Sequence, residues 1–201
     1  VLGVAAGLSP LPLTVVPLYF ELDGTFPNHE ANPLEPANLV DLQDAVRAHG
    51  ADLGLAFDGD ADRCFVVDER GEAVSPSAIT ALIARREVAR AVSEGADAAD
   101  VAVVHNVISS AQVPEVIAAT GARAVRTRVG HSFIKATMRA NGAVFGGELS
   151  GHFYFADNHV CDSGVIAMMS ALNLVSRSQQ PLSQLVAGLR RYHATGEINF
   201  Q

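Results

Sequence analysis

Residues 53–68 read LGLAFDGDADRCFVVD, and this stretch decides the fold. Two short apolar runs, 53–57 and 64–67, predict buried strands because each is brief, continuous and hydrophobic. Between them stand Asp58, Gly59, Asp60, Ala61, Asp62 and Arg63. Three carboxylates packed this closely repel one another. At ~4 Å a pair of unit charges interacts by about 1 kcal/mol in bulk water, and by about 4 kcal/mol at an effective dielectric near 20. Small residues at 59 and 61 let the backbone curl and aim all three carboxylates at one point. A hard divalent cation, Mg²⁺ or Ca²⁺, satisfies that arrangement. Arg63 adds a forked donor beside the cation, suited to an anionic group that the cation also touches. The plain alternative is an acidic surface hairpin with no ligand. The tight spacing, the apolar flanks and the adjoining arginine favour the cation.

The bulk of the chain agrees with a globular protein. Its 201 residues, 49% of them hydrophobic, suffice for one large domain or two small ones. A formal charge of -8 excludes a nucleic-acid surface, which needs basic patches to release counterions. Cys64 and Cys161 are the only cysteines and form no CxxC pair, so neither a disulfide framework nor a zinc knuckle is expected. Reduced thiols and a cytoplasmic location are the corresponding expectation. Residues 1–20 carry no charge, but Pro10, Pro12 and Pro17 interrupt any spanning helix, and no basic region marks a signal peptide. No membrane contact is expected. This segment reads as the end of a helix followed by a buried strand over 14–20, in a chain that looks like part of something longer.

Residues 21–36 form a turn-rich loop punctuated by Gly24, Pro27, Pro33 and Pro36. Leu39, Leu42, Ala45 and Val46 then give the helical period over 37–49, with Gly50 just beyond its end. A second helix is predicted over 78–93, capped by Ser77, with Arg85, Arg86 and Arg90 on a solvated face. After the acidic stretch 94–100 the pattern restarts. Strands are predicted at 101–105, 124–127, 143–145 and 153–155, and helices at 111–120, 133–141, 163–175 and 182–190, the last opened by Pro181. Such alternation implies βαβ units. The expected fold class is α/β: two consecutive three-layer domains with mixed, mainly parallel sheets. They divide as 1–95, carrying the acidic loop, and 96–193, with 194–201 beginning a further connection. Ligands in open α/β sheets gather outside the carboxyl ends of strands. Three loops lie at such ends: 58–63, 127–131 and 146–152.

The second loop holds Val129, Gly130, His131 and Ser132, preceded by Arg126 and Arg128. A helix N-terminus there offers free N–H groups to an anion; the alternative is a glycine turn with Ser132 as the cap. The third loop, Gly146-Gly147-Glu148-Leu149-Ser150-Gly151-His152, lets glycines present a carboxylate, a hydroxyl and an imidazole on one concave surface. Those groups suit a polyol; the alternative is a glycine-rich hairpin without a ligand.

Taken together, Asp58-Gly-Asp-Ala-Asp-Arg63 resembles the DGDxDR metal loop of the α-D-phosphohexomutase superfamily. Gly147-Glu-Leu-Ser-Gly-His152 resembles its GEMSGH sugar loop, with Leu149 at the Met position. Residues 22–29, 51–57 and 129–132 resemble stretches of the same enzymes. The order fits the second and third domains of the phosphomannomutase/phosphoglucomutase group. The resemblance implies a parent enzyme that moves a phosphoryl group between the 6- and 1-oxygens of mannose or glucose through an enzyme phosphoserine and a bisphosphorylated sugar. It implies Mg²⁺ on Asp58, Asp60 and Asp62, Arg63 steadying the phosphoryl group, and Glu148 and Ser150 on sugar hydroxyls. Arg128 and Gly130 then contact substrate, and His131 and His152 are candidates for proton handling or phosphate contact. The serine loop and the C-terminal phosphate clamp have no counterpart in the sequence, so the chain alone is expected to be inactive. Relatives with Lys near Ile108 differ from the Val107-Ile108-Ser109-Ser110 found here.

Two other readings compete. A haloacid-dehalogenase-type phosphatase also places a nucleophilic Asp after a strand, but wants Thr or Val where Asp62 stands. A non-enzymatic calcium-binding module matches Asp58, Asp60 and Asp62 to the first ligands of an EF-hand and Glu69 to the twelfth, but has Arg63 where Gly is needed.

Overall fold

The computed structural model describes residues 2–193; the connection read at 194–201 lies outside them. A short helix, α1 (Leu2–Leu8), leads into irregular chain. The strand expected over 14–20 does not form: Leu13, Val15, Val16 and Tyr19 are exposed. The physical reason is pairing. Pro17 has no N–H to give a ladder, and the segment joins neither sheet.

A 3₁₀ turn (Pro36–Leu39) precedes α2 (Val40–His49), and Gly50, at φ 58°, ends that helix by donating its N–H to the Val46 carbonyl. Then β1 (Leu53–Phe57), β2 (Cys64–Asp68) and β3 (Ala73–Val74) form an antiparallel sheet, with Leu53 opposite Asp68 and Phe57 opposite Cys64. One face takes α2 so closely that a Cβ at Gly54 would lie 2.7 Å from Val46 Cγ2. From the other face Leu53, Leu55 and Phe57 join Cys64 and Val66 in the main core.

The next helix, α3 (Pro76–Ser93), begins before the expected position. Ser75 rather than Ser77 caps it, its Oγ accepting from the Ser77 N–H, because Pro76 is suited to the first helical position. Most of its circumference is buried, as befits a helix inside a core. It lies against α4 (Gln112–Ala119) and β6 (Phe145–Gly147). Arg85 is exposed as expected, but Arg86 and Arg90 are only partly so. They bracket the buried Glu87, with Arg86 Nη1 at 2.7 Å from Oε1 and Arg90 Nε at 2.9 Å from Oε2. A buried carboxylate without such partners would be costly.

The second sheet runs β5-β4-β6-β7-β8, with β4 (Ala102–Asn106), β5 (Arg123–Thr127), β7 (Phe153–Phe155) and β8 (Cys161–Asp162) added to β6. Its first three strands pair in parallel and the rest antiparallel. The α/β class and the mixed sheet follow the sequence, but the expected parallel majority does not: the first sheet is antiparallel throughout, and only β4 pairs in parallel, with β5 and β6, because short hairpin connections join the other neighbours. The remaining helices are α5 (His131–Asn141), α6 (Gly164–Ser178) and α7 (Leu182–Ala187). Strand alternation divides the interior: Val103, Phe145, Phe153 and Phe155 face the main core, while Ala102, Val104 and Tyr154 meet Ile134 and Met138 of α5.

Candidate functional site

The acidic loop is held in shape by its own arginine. Arg63 donates its backbone N–H to Asp58 Oδ1 at 3.1 Å and its Nε–H to Asp58 Oδ2 at 2.6 Å. Ala61 takes the left-handed conformation, φ 61°, and turns the chain. Asp58, Asp60 and Asp62 each bring one oxygen to within 4.8 Å of the others. Asp62 Oδ1 is buried without a hydrogen-bond partner. Burial, reinforced by the Asp58 carboxylate, pushes the Asp62 carboxyl up to about 6. Burial also acts to raise Asp58, but the Arg63 hydrogen bonds outweigh it and leave that carboxyl below its ordinary value. An all-oxygen set with one orphaned buried oxygen fits a hard divalent cation.

The same loop is joined to the third by main chain. Cys64 donates its N–H to the Gly151 carbonyl at 3.1 Å, and Arg63 forms an antiparallel bridge with His152. Gly151 is required there: its φ is 89°, and a Cβ would lie 2.4 Å from Phe65 Cε2. From below, the Gly164 N–H at the start of α6 reaches the Ala61 carbonyl at 3.2 Å. His152 consequently sits between the loops, with Nε2 3.5 Å from Asp62 Oδ1 and Nδ1 2.8 Å from Ser150 Oγ. The acidic loop and the Glu148–His152 segment share one surface, as the sequence suggested.

Glu148 differs from the expected open presentation. It is 2% exposed, and its carboxylate accepts from Asn106 Nδ2 (3.3 Å), the Gly130 N–H (3.2 Å) and the Tyr154 hydroxyl (2.7 Å). A buried carboxylate is kept by such donors. These donors take three of the group's about four acceptor positions. Gly130, at φ 121°, occupies the N-cap position of α5, so Ser132 is not the cap. His131 opens α5 and is exposed. Arg128 stacks its guanidinium 3.4 Å over the Phe133 ring. The Gly130 amide is thus the member of this loop that reaches Glu148.

Several site residues escaped the sequence reading. Asn106 ends β4 at its carboxyl edge, where the switch-point rule could have flagged it. Tyr154 sits in an apolar run, and only its alternation with Phe153 and Phe155 hinted that it faces elsewhere. Asp162 approaches Asp62 and His152 and pairs with Lys135 Nζ at 2.8 Å. The competing readings gain nothing. Glu69, the would-be twelfth EF-hand ligand, turns away and accepts from the Ser183 N–H and hydroxyl. Asp58 anchors Arg63 rather than standing as a free nucleophile.

Comparison with known proteins is consistent along the whole chain. Residues 3–71 match the model of phosphoglucomutase/phosphomannomutase alpha/beta/alpha domain II, and residues 75–192 that of alpha/beta/alpha domain III. A phosphomannomutase of Vibrio cholerae is 38% identical over 193 residues, covering 95% of this chain and 40% of that protein. A phosphomannomutase/phosphoglucomutase of Pseudomonas aeruginosa is 37% identical over 203 residues, covering 98% and 42%. The crystal structure of a phosphoglucomutase/phosphomannomutase family protein from Burkholderia thailandensis superposes with a TM-score of 0.77 at 31% identity, covering 86% of this chain and 36% of that one. The chain therefore spans about two fifths of the length of the curated relatives it matches. Among the described residues no helix is long and apolar enough to cross a membrane.

Proposed function

Because the chain belongs to the phosphoglucomutase/phosphomannomutase family, we propose that it forms the central part of a mutase interconverting hexose 6-phosphate and hexose 1-phosphate. The sugar is mannose or glucose, and a phosphoserine from outside this chain exchanges the phosphoryl group. The observation that carries this reading is the Cys64–Gly151 hydrogen bond with the Arg63–His152 bridge. It makes the acidic loop and the hydroxyl-bearing loop one surface.

On this reading Asp58, Asp60 and Asp62 hold Mg²⁺, which when bound neutralises phosphate charge. Arg63 has Nε committed to Asp58, so its guanidinium is aimed before substrate arrives and steadies the phosphoryl oxygens with its remaining donors. Ser150 and the remaining acceptor position of Glu148 take vicinal sugar hydroxyls. His152, hydrogen-bonded through Nδ1 to Ser150, moves a proton at the reacting hydroxyl. His131 and Arg128 serve phosphate from the α5 end, beside the Gly130 amide. The family models meet between residues 71 and 75, and α3 lies on β6. We place the seam between the two units there rather than near residue 95.

Magnesium titration of the chain, read by thermal denaturation, tests the assignment. A cation at about 100 times its Kd stabilises by ~2.7 kcal/mol, so the wild-type midpoint should rise with magnesium. Asp60→Asn should lose most of that rise. An equal rise in the variant removes the cation site from the acidic loop.

A further inference from the structure

We propose that Tyr154 is a positioning residue for the hydroxyl-binding loop: its hydroxyl fixes the Glu148 carboxylate and its ring face fixes the His152 imidazole, so both meet the sugar as one preset unit. The proposal rests on the reading that Glu148 and His152 face substrate, and adds a residue that the family motifs do not contain.

Three observations carry it. Tyr154 is fully buried, in the middle of β7, on the α5 face of the sheet. A buried phenol must find a partner, and this one donates to Glu148 Oε2 at 2.7 Å. The other carboxylate oxygen is governed from elsewhere, by Asn106 and Gly130. Asn106 is itself oriented, since Ser109 Oγ donates to its Oδ1 at 2.7 Å and leaves Nδ2 for Glu148. Tyr154 is thus the sole donor to Oε2 among the described residues, and sets the rotation of the carboxylate about its last bond.

The second contact concerns His152. Its ring lies over the Tyr154 ring with centroids 6.3 Å apart and planes inclined by 26°, an offset stack. With Nδ1 on Ser150, that stack fixes the tilt of the imidazole. One side chain therefore constrains two groups from different positions of the loop. Groups held before binding lose less freedom when the sugar arrives, so the benefit falls on affinity.

The test has two arms. In the full-length enzyme containing this chain, Tyr154→Phe keeps the ring and removes only the hydroxyl. Its KM for hexose phosphate should rise about tenfold, the scale of one hydrogen bond to a charged group, with the larger part of the loss in KM rather than kcat. Combined with Glu148→Gln, the two losses should be less than additive, because both break one contact. An unchanged KM, or strict additivity, overturns the proposal. A wild-type enzyme that leaves hexose phosphates untouched overturns the proposed mutase function instead, and the sugar half of this proposal with it. The contact itself is decided on the unmodified chain by proton NMR. A slowly exchanging tyrosine hydroxyl resonance, absent in Tyr154→Phe and displaced in Glu148→Gln, supports it. A wild-type spectrum without that resonance overturns it.

Discussion

Gly164 shows how little a single residue must do to hold this site together. A Cβ there would stand 2.6 Å from the Ala61 carbonyl and 2.7 Å from that of Arg63. Both neighbours are main chain and cannot swing aside, so only a hydrogen atom fits. Gly164→Ala should therefore lift the start of α6 off the acidic loop and cost about 1–3 kcal/mol, the usual range for overpacking. It should also shrink the magnesium-dependent rise in melting temperature. Gly188→Ala, where no atom lies within 4 Å of the added carbon, is the matched control and should change neither. A Gly164→Ala chain that melts and responds to magnesium like the wild type would show that the contact does not support the loop. The spacing of Asp58, Asp60 and Asp62 was legible because charge repulsion is local in sequence. The burial of Glu148 was not, because its three donors come from positions 106, 130 and 154.

At the scale of elements, periodicity located most helices and strands and misplaced those whose state depends on a partner. The apolar segment 14–20 has the composition of a strand, but composition carries no information about whether an edge is available to pair with it. Arg86 and Arg90 looked solvated because helical spacing cannot show that Glu87 points inward between them. The β2–β3 turn supplies a third case. Nothing in the local sequence shows that Glu69 caps α7 through Ser183, or that Arg190 binds Glu72 at 2.8 Å and Asp68 at 3.3 Å. Burial works to raise the Glu69 carboxyl, but the Ser183 hydroxyl and amide outweigh it and hold it below its ordinary value. A carboxyl depressed in the folded state adds stability above its unfolded pKa and loses it as pH falls through the folded one. Melting temperature should accordingly drop on acidification through and below the ordinary glutamate range, in part through this group. Ser183→Ala should lower the neutral-pH stability by about 1 kcal/mol and flatten that acid slope. A variant with the wild-type slope would show that the latch carries none of it.

Across the whole molecule, the alternation of strands and helices predicts two α/β units divided near residue 95, whereas the two family models match residues 3–71 and 75–192. Alternation gives no sign that the units share an interior. In the main core Cys64 and Val66 of the first sheet pack with Ile79 and Ile83 of α3, Phe145 and Phe153 of the second sheet, and Met168 of α6. Two sheets that bury their apolar faces in one cluster cannot separate without exposing it, so unfolding should be a single cooperative step. The two sheets carry independent reporters. Cys64 is 1% exposed and burial pushes its thiol up to about 12, so it should resist alkylation until the first sheet opens. Tyr154 is enclosed in the second sheet, and its near-ultraviolet dichroism should vanish when that sheet opens. In urea, Cys64 labelling and the tyrosine signal should share one midpoint, and the slope should be that of the full chain rather than of half of it. Separate midpoints would mean that the Cys64–Gly151 hydrogen bond and the shared core are too weak to couple the units. The acidic loop and the Glu148–His152 loop would then meet only when substrate draws them together.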